Sequence, residues 1–491
     1  MKKDRTGRFL IDGSLYILST IITTIITLGT LPLFTRKLSP ADYGIIALFI
    51  AFGSVTSGLL SLGVNHASYR YYFDYKEDPE AFKVLNSSNI LFMLCIYSIF
   101  SIFIYFLSSW FSVFLFDRTF PSNLILLSFI SGCIGQLFLS FTLILTAQER
   151  PITFSIITIA QTLLKTILSL YLMYIYSLTY LAVIYGTLLT QGLIFVSLIY
   201  IHRKIIGLQF SFLAIKKSLI YSFPRIPRQL IGLAGQSIDK VLLNKYSGLT
   251  SLGNYTFGVK FATLLHMVLS GIEKVWTPFF LNKANDGTEK SKTEIVERYF
   301  EIVFFIMVVG LCIIYFSEEM IILLTTPEYY PAMFVTPIYV YITIFGLLGL
   351  LAVNQLMFAE KLLYLLPASI VNIMIYTIAN IILIPILGAV GAAISSAIAA
   401  LCAGMVHIYY GQKKYPLPIK LGKLTVLFII LLTFTGLSFP IMLMDLNIAI
   451  KILFKLLLIL LFSYLGFKMK YIDIGKVIAI YNKYSLQTIR S

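Results

Sequence analysis

The chain is a succession of apolar runs, each about as long as a helix needs to cross hydrocarbon. A bilayer core of about 30 Å requires about 20 mostly apolar residues in an α-helix. Fourteen such runs occur, at 10–34, 44–64, 86–108, 123–147, 154–176, 179–201, 224–244, 256–279, 300–317, 334–358, 363–386, 388–411, 424–443 and 448–467. Lipid offers no partner to backbone N–H and C=O groups, so spans of this length must be helical. The fold class that follows is an all-α polytopic membrane protein. Composition agrees: 58% of the 491 residues are hydrophobic and 12% charged, and so few charges cannot cover a water-facing surface.

Charge then sets orientation. The 38 Lys and Arg against 22 Asp and Glu leave a net charge of +16, which in a soluble chain would suggest nucleic acid. Here the excess is unevenly spread. With a cytoplasmic N-terminus, about 28 basic residues fall on inner segments and about four, Arg36, Lys37, Arg118 and Lys245, on outer ones. The positive-inside rule therefore places both termini in the cytoplasm, and no nucleic-acid partner is needed. The first run, Phe9 to Phe34, exceeds the roughly 7–15 apolar residues of a signal peptide and reads as a retained span. Cys95, Cys133, Cys312 and Cys402 each lie in an apolar run without C-x-x-C spacing, so buried small hydrophobes are expected rather than disulfides or metal ligands.

A shift of 212 residues brings Ala41-Asp42-Tyr43-Gly44 onto Gly253-Asn254-Tyr255-Thr256, and Ala147-Gln148-Glu149 onto Ala359-Glu360-Lys361. Spans one to six then overlay spans seven to twelve in hydropathy. Six spans separate the copies, so both begin from the same side and are related by a pseudo-twofold axis along the membrane normal. The expected organisation is a six-helix bundle at 1–203, a basic cytoplasmic linker at 204–222, a second bundle at 223–412, and two further helices with a cytoplasmic tail at 413–491.

Polar side chains inside the spans single out candidate functional residues, because a charge at the helix centre costs about 2.5–3.5 kcal/mol on insertion scales. In span seven Arg225, Gln229, Gly232, Gln236 and Asp239 share one helical face, with Lys240 beside it. Lys260, Thr263, His266, Ser270, Glu273 and Thr277 do the same in span eight, with Lys274 adjoining. Span one carries Asp12, Tyr16, Thr20, Thr23, Thr27 and Thr30 on one face; span two carries Ser54, Ser57, Ser61, Asn65 and Ser68, ending near His66 and Arg70. The repeat makes these four spans symmetry-equivalent, which suits a hydrated cavity. Packing through small and hydroxyl residues is the competing reading for the uncharged stripes. Adjacent residues do not face each other on a helix, so Asp239 and Glu273 are expected to pair across helices or to bind a proton or sodium ion. Lys165, Asn354, Gln355, Asn372 and Asn380 fit buried interhelical hydrogen bonds equally well. His202 and His407, near cytoplasmic ends, are expected to be solvated or interfacial.

The segment Leu33-Phe34-Thr35-Arg36-Lys37-Leu38-Ser39-Pro40-Ala41-Asp42-Tyr43-Gly44 resembles the first outer loop of Wzx-type polysaccharide flippases. So do Leu62-Gly63-Val64 with Arg70, Ala147-Gln148-Glu149-Arg150, Ser237-Ile238-Asp239-Lys240 and Gly253-Asn254-Tyr255. These flippases belong to the multidrug/oligosaccharidyl-lipid/polysaccharide exporter superfamily. The resemblance implies two six-helix bundles whose spans one, two, seven and eight line a cavity opening alternately to each side of a bacterial inner membrane. It implies a substrate, an undecaprenyl-pyrophosphate-linked oligosaccharide repeat unit of O-antigen, capsule or exopolysaccharide, and partners such as a polysaccharide polymerase and a chain-length regulator. Carried over by position, Arg225, Arg228 and Arg70 meet the pyrophosphate. Asn65, Gln229, Gln236, Lys240, Lys260, His266 and Lys274 line the cavity, and Asp239 and Glu273 serve ion coupling or counter-charge. No cofactor is implied beyond a coupling proton or sodium ion.

Two other classes stay open. A lipid II flippase or a multidrug antiporter shares the superfamily, although spans one and two carry hydroxyls rather than an arginine cluster and the cavity charge is positive. A membrane polymerase or ligase would need a catalytic loop outside the bilayer, and the longest outer connections here are only about 15 residues.

Overall fold

The computed structural model describes the backbone of residues 2–116, 122–223, 226–235, 237–444, 447–469 and 471, and their side chains except at 2–14, 122, 227, 228, 230, 234, 442 and 443. Among the described residues all regular structure is helical. The first half contains α1 (Lys2–Gly29), α2 (Leu31–Thr35), α3 (Pro40–Leu60), α4 (Val64–Asp74), α5 (Pro79–Phe106), α6 (Ser108–Phe116), α7 (Ser122–Ala147), α8 (Pro151–Ile175), α9 (Tyr180–Ile201) and α10 (Phe212–Ser222). The second contains α11 (Ile226–Gly235), α12 (Ile238–Asp286), α13 (Glu289–Leu324), α14 (Ala332–Phe358), α15 (Leu366–Lys414), α16 (Leu421–Leu443) and α17 (Ile448–Lys468).

Among the described residues, twelve helical segments are long and apolar enough to cross a membrane. Two of them, Ile231–Asp286 and Leu362–Lys414, run to 56 and 53 residues. As straight helices they would reach about 80 Å, more than twice the roughly 30 Å of hydrocarbon. Each is broken at a glycine outside helical backbone space, Gly248 (φ 80°) in α12 and Gly388 (φ 54°) in α15. Split at these glycines, the twelve segments correspond to the runs expected from hydropathy, the seventh joined to the eighth and the eleventh to the twelfth, with residues 224, 225 and 236 of the seventh outside the described residues. The protein is a multi-pass membrane protein.

Local chemistry explains where helices begin and end. Ser39 caps α3: its hydroxyl accepts from Asp42 N, while the Asp42 carboxylate accepts from Ser39 N at 2.9 Å, with Pro40 at the first helical position. The Ser-Pro-Ala-Asp stretch is therefore a capping box. The turns that close α7 and α14 are alike. Glu149 and Glu360 both take positive φ, and Arg150 N and Lys361 N reach back to the carbonyls of Leu145 and Leu356 at 3.1 and 2.8 Å. This equivalence supports the internal repeat, with a register one residue shorter than the 212-residue shift.

The chain forms two compact units, one of Met1–Phe257, Leu324–Tyr330 and Thr377–Ala392, the other of Gly258–Leu323, Pro331–Tyr376 and Ala393–Ser491. In the first, α3 and α7 touch backbone to backbone: a Cβ on Gly53 would stand 2.2 Å from Ser128 O, and one on Gly132 would stand 2.0 Å from Gly53 O. Without a hydrophobic driving force between helices in lipid, small residues supply this close packing. Ser57, Ser61, Asn65 and Ser68 are all at most 2% exposed. Tyr97 OH donates to Ser57 O, and Asn89 Nδ2 donates to Ser68 Oγ at 2.9 Å. Most of the span-two stripe is therefore a packing face, the second of its two readings from sequence, while Ser54 at its start is exposed. On span one Thr20 and Thr27 stay exposed, their hydroxyls bonded to carbonyls of their own helix.

The second unit is built around α13, whose Val303, Phe304, Ile306, Met307, Leu311 and Ile314 are at most 2% exposed. Phe304 stacks on Phe462 of α17 at 5.6 Å, and Gly466 leaves room for its ring. Tyr315 OH donates to Phe434 O of α16 at 2.7 Å. A buried ion-pair cluster completes the joint. Lys455 Nζ, wholly enclosed, lies 3.0 Å from Glu318 Oε2 and 2.6 Å from Glu319 Oε1, and Lys451 Nζ lies 3.2 Å from Glu318 Oε1. Sequence reading passed over these four residues, although lysines four apart inside one apolar run and paired glutamates ending another were the available signal.

Candidate functional site

The candidate residues divide between the two units, and each group is built by its own helices. Arg225 and Gln236 lie outside the described residues, and Arg228 belongs to α11 with its side chain outside them.

In the first unit, α11 is pinned to α3 through Gln229, whose Nε2 donates to Gly58 O at 3.0 Å. Asn65 of α4 is enclosed; its Nδ2 donates to Gln136 Oε1 and its Oδ1 accepts from His66 N. Arg70 stands half-exposed at the end of α4 and pairs with Asp74 one turn on, which offsets its charge within the helix. Asp239 is 4% exposed and sits in the first turn of α12, where the helix dipole favours an anion. Its Oδ2 accepts from Tyr255 OH at 2.6 Å and its Oδ1 from Lys240 N at 2.8 Å, with Lys240 Nζ 3.8 Å away. Sixteen residues of straight helix would separate 239 and 255 by about 24 Å. The reversal at Gly248 brings them together. Asp239 thus meets its own neighbour Lys240 and a phenol from beyond Gly248.

In the second unit the predicted stripe on α12 is the face turned away from the core. Leu265, Leu269, Trp276 and Phe280 are at most 4% exposed, whereas Thr263, His266 and Lys274 are exposed and Lys260, Ser270, Glu273 and Thr277 half-buried. Glu273 opens into a cavity of about 480 Å³, which it lines with Thr277, Phe345, Asn354, Asn372 and His407. These side chains come from α12, α14 and both halves of α15. Gly346, Gly349 and Gly404 line it too, beside the aliphatic Ile342, Leu350, Val353, Ala400 and Ala403, and a Cβ on Gly349 would meet His407 Nδ1 at 2.9 Å. Asn354 is 2% exposed; its Nδ2 donates to Leu350 O at 2.8 Å, while its Oδ1 has no protein donor. Gln355, next to it, resolves as a structural hydrogen bond, donating to Tyr415 O at 2.7 Å.

The histidine expectations change as well. His407, expected to be solvated or interfacial, is half-buried in the cavity wall. His202 is 2% exposed with Nδ1 3.0 Å from Leu198 O, and burial lowers its pKa from the ordinary value. The four cysteines are free thiols.

Comparison with known proteins fits this architecture. Residues 9–283, more than half of the chain, match the family described as polysaccharide biosynthesis protein. No curated protein sequence matches. Among solved structures, the lipid II flippase MurJ in an inward closed conformation is 17% identical, with a TM-score of 0.71 over 92% of this chain and 99% of that one. An inward-facing multidrug resistance MATE family transporter of the MOP superfamily is 14% identical, with a TM-score of 0.63 over 81% and 97%. A MOP superfamily transporter from Pyrococcus furiosus, whose binding pocket is described as reversed in polarity, is 14% identical, with a TM-score of 0.54 over 83% and 95%. At these identities the likeness speaks for the fold, and the family match speaks for membership. The chain belongs to the polysaccharide biosynthesis protein family and has the fold shared by MurJ and the MATE transporters of the MOP superfamily.

Proposed function

We propose that this protein is a flippase that carries a polyprenyl-pyrophosphate-linked oligosaccharide from the cytoplasmic to the outer leaflet of a bacterial inner membrane, with both termini in the cytoplasm. The observation that carries the reading is a family match to polysaccharide biosynthesis in a chain built almost wholly of spans. A chain of this build contributes to polysaccharide synthesis by moving a polar head group that hydrocarbon excludes. Polar faces on α12 and the cavity beside Glu273 offer hydrogen-bonding surface within the spans. Arg225, Arg228, Lys260 and Lys274 supply cationic charge suited to a diphosphate, and Asp239 or Glu273 provides the group through which a proton or sodium gradient is coupled. Polymerase and chain-length regulator would then act on the delivered unit.

Deletion of the gene tests this. A lipid-linked repeat unit is expected to accumulate in the cytoplasmic leaflet, with wild type restoring export and Arg225→Ala or Arg228→Ala failing to. Normal surface glycan without accumulation, in a strain lacking a redundant flippase, would refute the reading. Rescue of a lipid II flippase depletion instead would move the substrate to lipid II.

A further inference from the structure

We propose that the cavity beside Glu273 is a saccharide subsite, which takes one uncharged, hydroxyl-rich ring of the transported head group. The inference rests on the flippase reading and deepens it. Size comes first. At about 480 Å³ the cavity falls in the roughly 300–1,000 Å³ range of small-molecule sites, whereas a water molecule or a single ion needs about 30 Å³. A bare coupling ion therefore does not account for it.

Charge comes second. The lining holds one carboxylate, Glu273, and no Lys or Arg, so a diphosphate or an acidic sugar would be repelled. A ligand that offers hydrogen-bond donors would be welcomed. Asn354 states this need most plainly, because its Oδ1 is buried in the lining without a protein donor. An unsatisfied buried acceptor costs about 1–3 kcal/mol, a cost that a sugar hydroxyl repays once the enclosed amide turns its Oδ1 toward the cavity.

Shape and surface come third. Glu273, Asn354 and Asn372 present planar oxygen-bearing groups, and Thr277 and His407 add further polar partners, so neighbouring hydroxyls of a ring can be met together. Phe345 and the faces of Gly346, Gly349 and Gly404 give the C–H side of a ring an apolar surface. An aliphatic or aromatic drug cation would find only one carboxylate and would leave the amides unpaired.

The test measures binding to purified protein in nanodiscs with two probes: the lipid-linked oligosaccharide extracted from the deletion strain, and undecaprenyl pyrophosphate without sugar. Wild type is expected to bind the glycosylated lipid about tenfold more tightly. Asn354→Leu is expected to bring the two affinities together. Gly346→Leu, which fills the cavity from a position whose Cβ meets nothing within 4 Å, is expected to do the same without removing a polar group. Equal affinities in wild type, or a preference that survives both variants, overturns the subsite and leaves the flippase reading standing. Failure of wild type to bind either lipid overturns both.

Discussion

A Cβ atom on Gly253 would stand 1.7 Å from the carbonyl oxygen of Pro40, and the reciprocal contact, Gly44 against Leu249 O, would close to 2.3 Å. These glycines lie in the two segments that the internal repeat relates, so the repeated motifs pack on each other where α3 begins and where α12 resumes after Gly248. Tyr43 seals the contact, edge-on to both Phe257 and Tyr329. Both atoms met are backbone and cannot swing aside. Gly253→Leu is expected to destabilise the protein by about 3 kcal/mol or more, read as a lower thermal midpoint in detergent. Gly346→Ala, placed in open space, should leave the midpoint unchanged.

Tyr255→Phe removes the hydroxyl that Asp239 accepts from. Hydrogen bonds to a charged group are worth about 1.5–3 kcal/mol, so a loss in that range is expected. Asp239→Asn keeps an oxygen for the phenol and should cost less than Asp239→Leu. A double-mutant cycle between positions 239 and 255 checks the assignment: additive losses would show that the two side chains do not interact.

Lys455 is the counter-ion of two glutamates in an enclosed joint. Lys455→Ala leaves Glu319 without its partner and Glu318 with Lys451 alone, and breaking a buried pair in this way costs about 3–5 kcal/mol. Lys451→Met and Lys455→Met combined with Glu318→Gln and Glu319→Gln remove the four charges together and should recover most of the loss. Yield and thermal midpoint of the single and quadruple variants measure it.

His202 gives the protein an acid limit. Burial holds its folded pKa below the ordinary value near 6.5, so it is neutral in the folded protein. The unfolded chain binds the proton more readily. Stability is therefore full above about pH 6.5 and falls as pH drops through that value toward the folded pKa. His202→Phe should flatten this decline between pH 7 and 5, measured as thermal midpoint against pH. An unchanged slope would assign the acid sensitivity to another group.

Spans were legible in the sequence because length and hydropathy are properties of single segments. Partners were not, because a stripe shows which residues share a face and not what the face meets. Ser57, Ser61 and Asn65 share a face as expected, yet that face meets α5 and α7. Asp239 stands out in the sequence as a charge inside a span, but its phenol partner depends on the reversal at Gly248, which brings together residues that spacing keeps apart. Asn354, Asn372 and His407 looked like separate minor features until α14 and α15 placed them in one wall with Glu273. Lys451 and Lys455 stand out less than the charges of the seventh and eighth spans, because in the fourteenth they are diluted by leucine and isoleucine.

The lysine cluster also bears on how the chain is made. Taken by itself, the last span carries Lys451 and Lys455 in its first half, and since a lysine costs up to about 2.5–3.5 kcal/mol toward a helix centre, they give it a reason to slip back into water as it leaves the ribosome. Glu318 and Glu319 precede it by more than a hundred residues, so they already sit in the bilayer when Lys451 and Lys455 arrive. Order of synthesis turns an unfavourable segment into one that finds its berth waiting, and a circularly permuted chain that places α17 first would lose that advantage during biogenesis.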